Sequence, residues 1–318
     1  AARRRARGAR RAKGGGLMRV VDLFAGAGGS STGATWAGAR VAAAVNHWPV
    51  AVATHTAAHP EAAHFCEDAA VLDPTTLPAH DLLLASPSCT GHTRARGVER
   101  PHHDAARATA WCVLRVAEAQ RPRAIVVENV PEMLAWACYR GWRLALSDLG
   151  YRISEQVLDV ADLGVPQHRR RLFVVATRTR KPLVIAPGTA AHVGARSIID
   201  LDAGTWRPWR RLVPASVARI EAAQARFGET CLVAYYSSEA GGRDLDAPLG
   251  TVTTHDRHMV VRGDVARMLS VGELLAAQGF PADYPLTGTH AERVMQVGNA
   301  NAPPMARHIV AQIMAGAS

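Results

Sequence analysis

The sequence VVDLFAGAGGSST, at residues 20–32, decides the fold. Its apolar start is typical of a buried strand, its glycines are typical of a tight turn, and Ser30–Thr32 is typical of the start of a helix. Glycines let the backbone approach a ligand closely, and the free N–H groups at a helix N-terminus bind carboxylates. Ser31 stands where the dinucleotide-binding fingerprint has its third glycine. We interpret this stretch as a strand–turn–helix unit that binds a cofactor, and a tight turn without a ligand is the alternative.

Short apolar runs alternate with helical patterns between residues 19 and 177. The predicted strands are Arg19–Phe24, Val41–Val45, Asp81–Ala85, Ala124–Glu128 and Leu172–Ala176. The predicted helices include Trp48–Ala58, Ala105–Ala119 and Tyr139–Leu149. This alternation predicts an α/β fold with a largely parallel, doubly wound sheet. Ligands of such sheets bind beyond the carboxyl ends of the strands, so we expect the functional residues there.

The composition divides the chain into four segments. They are residues 1–17, 18–179, 180–262 and 263–318. The first is a basic tail that we expect to be disordered, and the second is the predicted catalytic and cofactor-binding domain. The third is a small, loop-rich domain with scattered Pro, Gly, Trp and Arg. In the last segment Val265–Gln278 and Pro304–Met314 have helical patterns, and we expect both to return to the first domain.

The charge balance favours a polyanionic partner. The formal net charge is +10, and a basic surface that neutralises phosphates gains free energy by releasing counterions. The five cysteines include no CxxC pair, which predicts no metal site and a reducing, cytoplasmic location. No apolar run reaches the roughly 18 residues of a membrane span, so no membrane partner is expected.

Three predicted strands deliver reactive side chains to their ends. One ends in Ser86-Pro87-Ser88-Cys89, the next in Glu128-Asn129-Val130, and Gln167-His168-Arg169-Arg170-Arg171 precedes the last. A lone cysteine is more often a small buried hydrophobe than a nucleophile. The end of a buried strand, however, is a costly place for a carboxylate without a function. The three segments together favour catalysis by a thiol and an acid.

The chain resembles the DNA (cytosine-5-)-methyltransferase family over nearly its whole length. The matching segments, in family order, are Asp22–Gly29, the Cys89 loop, Glu128–Val130, Gln167–Arg171 and Gly298–Ala300. The resemblance implies a Rossmann-like, S-adenosylmethionine-dependent methyltransferase sheet, with residues 180–262 as a smaller, loop-rich target-recognition domain. It implies methyl transfer from S-adenosyl-L-methionine to carbon 5 of a flipped-out cytosine in a specific duplex DNA sequence, which releases S-adenosyl-L-homocysteine.

The same resemblance implies roles for five catalytic residues. Cys89 attacks carbon 6 of the base to form a covalent adduct, and Glu128 bonds the ring nitrogen and the amino group. Arg169 and Arg171 hold the loop, the base oxygen or a nearby phosphate, and Asn129 orders the loop.

The cofactor would lie at the ends of the first strands. His47 takes the place of the acid that usually binds the ribose, Trp48 could stack on adenine, and Asp68 could accept from its amino group or cap a helix. The predicted cofactor-binding residues are Asp22, Phe24, Ala25, Gly26, Gly28, Gly29, His47, Trp48, Asp68, Ala69, Ser86, Asn299 and Ala300.

Basic and aromatic residues of the recognition segment are the candidates for DNA contacts. They are Arg207, Arg210, Arg211, Tyr235, Tyr236, Arg243 and Arg257, and Gln167, which precedes that segment, is a further candidate. For any one residue of the segment taken alone, a solvated charge or a core aromatic is the favoured interpretation. We expect a monomer that acts on duplex DNA, with a restriction or defence system as an open partner.

Three departures from the family pattern leave alternatives open. Ser88 stands where the family usually has proline before the cysteine, Thr90 stands where it has glutamine, and His47 replaces an acid. A tRNA cytosine-5 methyltransferase and a catalytically silent DNA-binding relative are therefore retained as alternatives. An exocyclic-amine methyltransferase is a third, but the loop lacks the aromatic residue that stacks on the flipped base in that class.

Overall fold

The computed structural model describes residues 17–92, 101–235 and 241–316. Nearly all of the predicted basic tail, and Tyr236, lie outside these residues. Within them the larger sheet contains β1 (Arg19–Leu23), β2 (Arg40–Val45), β3 (Ala63–Phe65), β4 (Leu82–Ala85), β5 (Ala124–Asn129), β6 (Arg152–Asp159) and β7 (Arg170–Thr177). The strand order is β3-β2-β1-β4-β5-β7-β6. All pairs from β3 to β5 are parallel, and β7 runs antiparallel between β5 and β6.

The predicted α/β fold with a largely parallel sheet is confirmed, and each of the five predicted strands is present. The helices that flank this sheet are α1 (Gly29–Trp36), α2 (Pro49–Ala58), α3 (Pro101–Ala108), α4 (Ala110–Gln120) and α5 (Tyr139–Asp148). Val113 of α4 and Trp142 of α5 belong to the core on one face of the sheet, and Ala34 of α1 belongs to the core on the other. The prediction of a single helix over Ala105–Ala119 is wrong, because the helix is interrupted at Thr109, which separates α3 from α4.

A second, antiparallel sheet forms the smaller domain. It contains β8 (Arg207–Pro208), β9 (Thr230–Ala234), β10 (His258–Arg262) and β11 (Val265–Met268), in the order β8-β11-β10-β9. Helix α6 (Pro214–Phe227) contributes Ile220 to the core of this sheet, together with Trp209 and Val261. The burial of these apolar side chains gives the domain a hydrophobic core of its own.

The prediction of one helix over Val265–Gln278 is wrong for its first residues. Residues Val265–Met268 pair with β10 in a hairpin, so the second sheet continues past residue 262, the predicted end of the loop-rich segment. Helix α7 (Val271–Ala277) begins only at its cap, where the Ser270 hydroxyl and the Glu273 carboxylate form a reciprocal capping box. The sequence pattern does not separate β11 from α7, because a continuous apolar run does not show where the two-residue period of a strand changes to the 3.6-residue period of a helix.

Of the two segments predicted to return to the first domain, the last one packs against the larger sheet, whereas Leu274 of α7 lies in a core with Leu232 and Val260 of the second sheet. Helices α8 (His290–Asn299) and α9 (Pro303–Gly316) follow α7. Met305 and Ile309 of α9 belong to the same core as Ala34 of α1. No helix among residues 17–92, 101–235 and 241–316 is both long and apolar enough to cross a membrane.

A chain of buried polar groups links β1, α1, α2 and β3 beneath the glycine-rich turn. The Asp22 carboxylate accepts from the Ser31 hydroxyl at 2.7 Å, Ser31 Oγ lies 2.9 Å from His55 Nε2, and His55 Nδ1 lies 2.8 Å from His64 Nε2. Burial, reinforced by His59 and His64, lowers the pKa of His55 to about 3, so its ring is neutral. Since Ser31 donates to Asp22, His55 Nε2–H donates to Ser31, and His64 donates to His55 Nδ1. The bonds assign these tautomers.

The carboxyl group at the inner end of this chain makes stability depend on pH. Burial raises the pKa of Asp22 from 3.8 to about 7, against the lowering effect of the Ser31 bonds. Between these values the folded protein keeps a proton that the unfolded chain has lost. The free energy of unfolding therefore falls as pH rises through this range, and it stays low above it.

An asparagine at position 22 cannot ionise and should remove this dependence. We expect Asp22→Asn to gain about 2 kcal/mol of unfolding free energy relative to wild type between about pH 5 and about pH 8. Urea unfolding at the two pH values measures the difference. Asp283→Asn, which removes an exposed carboxylate, controls for the lost charge, and equal behaviour of the two variants would contradict the assignment.

Candidate active site

Cys89 lies on a loop that leaves the carboxyl end of β4. The Ser86 N–H donates to the Leu23 carbonyl at 3.2 Å, which extends the pairing of β4 with β1 by one residue. The Asn129 side-chain amide then donates to the Pro87 carbonyl at 3.0 Å. The Cys89 thiol is half-buried. Asn129 therefore orders the loop immediately before the cysteine, which is the contact expected of its predicted role.

Glu128 lies at the end of β5, beside the cysteine loop. Its partner is Arg171 on β7, whose Nε is 3.2 Å from Glu128 Oε1. Both side chains are largely shielded from solvent, with 11% of Glu128 and 15% of Arg171 exposed. Antiparallel β7 begins at the edge where parallel β5 ends, and this brings the two residues together. The pair is a charge-assisted contact at a partly desolvated site.

The charges around Cys89 oppose one another. Burial, and then the negative charge of Glu128, raise the pKa of the Cys89 thiol, whereas Arg171 and Arg169 lower it, and the balance is a raised pKa. The free protein therefore holds Cys89 mainly as the thiol at neutral pH. Three segments that are distant in the sequence thus interact electrostatically at one place.

Arg169 is buried beneath this site and does not face an open cleft. Its guanidinium donates to the carbonyls of Val252, Gly298 and Ala300 at 3.2, 2.9 and 2.8 Å. Burial, with help from Arg171, lowers its pKa to about 9, so it stays charged at neutral pH. Arg169 thus holds the segment before β10 and the C-terminal end of α8, whereas its predicted partners were the cysteine loop, the base oxygen or a phosphate.

Gln167 corrects a prediction, because it cannot contact DNA. Its side chain is fully buried, its amide N–H groups donate to Ala277 O and Gln278 Oε1, and its oxygen accepts the Val252 N–H at 2.6 Å. Both of its polar ends are thus used inside the protein, where they join the first domain to α7 and to the segment before β10. Its alternation with Arg169 and Arg171 indicated a shared side of the chain but not what lies on that side.

The turn after β1 has the geometry of a ligand-binding turn. Phe24 has a φ of 63°, which is unfavourable for any residue except glycine. Gly26 also has a positive φ, and a Cβ built at this position would meet no atom within 4 Å, so the backbone there borders open space. Gly28 and Gly29 face inward instead, where a Cβ would clash with Tyr284 and with the Asn301 carbonyl. The turn therefore combines backbone strain with an open side.

Asn301 is a site residue that sequence reasoning did not assign. Its side-chain amide donates to the Ser30 hydroxyl at 3.2 Å, at the first turn of α1. A small cavity of about 10 Å³ is lined by Asn301 and Ser30 and also by Ser86 and Glu128. The Gly298–Ala300 motif was the available signal, since Asn301 follows it directly.

The other predicted cofactor residues lie near the same edge of the sheet. His47 is exposed and Trp48 is half-buried after β2, and the Trp48 N–H donates to Asn46 Oδ1 at 2.9 Å. Asp68 is exposed after β3 and accepts the Ala70 N–H at 2.9 Å in a turn. No helix of the described residues begins at this position, so the contact is not the helix cap that was the alternative for Asp68. The remaining predicted positions are Ala25 and Ser86, which are half-buried, Ala69 and Ala300, which are buried, and Asn299, which is exposed.

The candidate DNA-contact residues of the second domain differ in how far their polar groups already make contacts within the protein. Arg210 stacks on Trp209 and lies 3.5 Å from Glu221 and 3.3 Å from Asp264, so its charge is largely balanced. The Tyr235 hydroxyl lies 3.6 Å from the Met259 sulfur. Arg207, Arg211 and Arg257 are exposed, Arg257 donates to the Tyr235 carbonyl, and Arg243 is half-buried and donates to the Pro248 carbonyl.

The chain matches one family model over most of its length and is similar to curated proteins. The family model for C-5 cytosine-specific DNA methylase matches residues 18–202 and 206–315. Type II methyltransferase M.HgiDI of Herpetosiphon aurantiacus is 28% identical over 89% of this chain and 90% of its own length. Type II methyltransferase M.NlaX of Neisseria lactamica is 25% identical over 95% of this chain and 98% of its own length.

A solved structure shows the same fold. A DNMT2 mutant from Spodoptera frugiperda superposes with a TM-score of 0.69 at 16% identity, over 93% of this chain and 99% of its own. The resemblance inferred from the five sequence motifs is thereby confirmed. The chain belongs to the C-5 cytosine-specific DNA methylase family.

Proposed function

We propose that this chain transfers a methyl group from S-adenosyl-L-methionine to carbon 5 of a cytosine in duplex DNA, through a covalent bond to Cys89. Membership of the methylase family supports the reaction class. The observation that carries the proposal is the meeting of Cys89, Glu128 and Arg171 at one edge of the sheet, where each charge affects the thiol. A half-buried thiol beside a shielded carboxylate and a guanidinium is suited to attack on a polarised ring.

The sheet edge fits the proposed cofactor. The open space beside Gly26 and the strained turn at Phe24 would admit its amino-acid part, and the N–H groups at the start of α1 would bind its carboxylate. Trp48, Asp68 and His47 would contact the adenosine. His47 offers the ribose an imidazole, which bonds a hydroxyl less strongly than a carboxylate does. When bound, S-adenosyl-L-methionine supplies an electrophilic methyl group on a sulfonium.

The reaction begins with a base that has left the duplex, because stacking covers both faces of its ring. The Cys89 thiolate forms a bond from Sγ to carbon 6, and Glu128 shares a proton with the ring nitrogen that receives the electron pair. Carbon 5 becomes nucleophilic and would take the methyl group that the bound cofactor supplies, with S-adenosyl-L-homocysteine as the leaving group. Water then removes the proton from carbon 5, the sulfur–carbon bond breaks, and Cys89 leaves as the thiolate.

Glu128 couples proton sharing to the activation of Cys89. Its negative charge raises the pKa of Cys89 in the free protein. A proton shared between Glu128 and the base weakens that charge, while Arg171 and Arg169 remain positive, so the thiolate becomes easier to form when a pyrimidine is in place. The thiol is thus held in its less reactive state until substrate is bound.

The smaller domain would read the duplex. Its exposed cations, Arg207, Arg211 and Arg257 among them, suit phosphates or base edges. We expect Arg210 to contribute less to DNA binding, because Glu221 and Asp264 already balance its charge. A specific sequence would be recognised by the side chains that enter the major groove.

Replacement of the nucleophile tests this function directly. Cys89→Ser should reduce methylation at least about 1,000-fold, because serine is a far weaker nucleophile at neutral pH, while cofactor binding is retained. Bisulfite sequencing of DNA and tRNA from a host that expresses each form reports both the chemistry and the substrate. Cys138→Ser, at an exposed cysteine, is the matched control. Methylation confined to tRNA would replace the proposed substrate, and an active Cys89→Ser would overturn the mechanism.

The opposing charges around Cys89 predict opposite shifts in its reactivity with pH. Glu128→Gln removes a charge that raises the pKa of Cys89, so its alkylation should begin at lower pH, and Arg171→Gln should move the onset to higher pH. Glu128→Gln should also slow methyl transfer about 100-fold or more. Iodoacetamide labelling of the Cys89 peptide, followed by mass spectrometry between about pH 6 and about pH 10, measures the onset. Shifts of the same sign in both variants would rule out this electrostatic arrangement.

A further inference from the structure

The peptide group between Pro87 and Ser88 is held at both of its polar ends. Its carbonyl accepts from the Asn129 side chain at 3.0 Å, and its N–H donates to the Thr109 hydroxyl at 3.0 Å. This peptide group lies one residue before Cys89. Rotating it would break both hydrogen bonds at once, so the two side chains together fix the direction in which the chain enters the cysteine.

The Thr109 side chain bonds to this loop and does not cap its own helix. It occupies the cap position of α4, yet its side chain makes no capping hydrogen bond there. Its hydroxyl donates to the Ala106 carbonyl at 2.6 Å and accepts from Ser88, so both of its hydrogen-bonding directions are fixed. The break between α3 and α4 falls at this residue and places the hydroxyl beside the loop.

Ser88 makes this contact available. A proline at position 88 would have no N–H to donate. The backbone N–H of serine donates to the Thr109 hydroxyl at 3.0 Å. We propose that Thr109 is a positioning residue for Cys89, and that it acts through its hydrogen bond with the Ser88 N–H. This inference rests on the proposed role of Cys89 as the nucleophile.

A double-mutant cycle tests whether the Thr109 hydroxyl acts through its hydrogen bond with the Ser88 N–H. Thr109→Val keeps the shape but loses the hydroxyl, and the single-turnover methyl-transfer rate should fall about five- to tenfold. The dissociation constants for cofactor and DNA should change less than about twofold, since a loosened loop affects the reacting geometry and not binding. Thr109→Ser, which keeps the hydroxyl, should retain the wild-type rate.

The decisive variants carry Ser88→Pro. That substitution removes the N–H, so adding Thr109→Val to it should cost no further rate. An equal loss in both backgrounds, or no loss in either, would overturn the proposal. Thr109→Ala serves as a second hydroxyl-free variant if Thr109→Val does not fold in urea-unfolding controls.

A readout without methyl transfer separates this inference from the proposed function. The rate of Cys89 alkylation by iodoacetamide in the free protein should change in Thr109→Val and return in Thr109→Ser, because the loop exposes the sulfur differently. If wild-type protein transfers no methyl group, the proposed function fails, and the alkylation rates still decide whether Thr109 positions Cys89. Alkylation rates identical in all variants would contradict the positioning role.

Discussion

The direction of three neighbouring strands is the constraint on which the site depends. β4 and β5 are parallel, so their carboxyl ends meet at one edge, and antiparallel β7 begins at that same edge. Cys89, Glu128 and Arg171 come from segments far apart in the chain, and this topology alone brings them together. A parallel β7 would carry Arg171 to the opposite edge and leave the Glu128 carboxylate without its partner, at a cost in desolvation.

Buried polar groups then fix the site to the rest of the molecule. Arg169 binds three carbonyls from the segment that precedes β10 and from the C-terminal end of α8, and Gln167 bonds both the segment before β10 and α7. These contacts join the two domains through groups that must be satisfied once they are buried. The position of these segments relative to the start of β7 is therefore set by buried hydrogen bonds, which are costly to break.

Much of this could be predicted from sequence, and the failures have physical causes. β1, β4 and β5 are buried on both faces, so they appear as continuous apolar runs, whereas the edge strand β6 alternates irregularly and gave no signal. Residue spacing placed Gln167 near the site but could not show that it faces carbonyls and not DNA. The Thr109 contact joins residues 21 positions apart and depends on the path of a loop, which no local pattern encodes.

The covalent bond between the Cys89 sulfur and the base is the central claim, and a trapped complex tests it most directly. Duplex DNA in which 5-fluorocytosine replaces the target cytosine blocks release, because fluorine cannot leave as a proton. After incubation with S-adenosyl-L-methionine and digestion, mass spectrometry should find the methylated nucleotide attached to the peptide that contains Cys89. Attachment to another cysteine, or no attachment to a protein that still binds the DNA, would contradict the account.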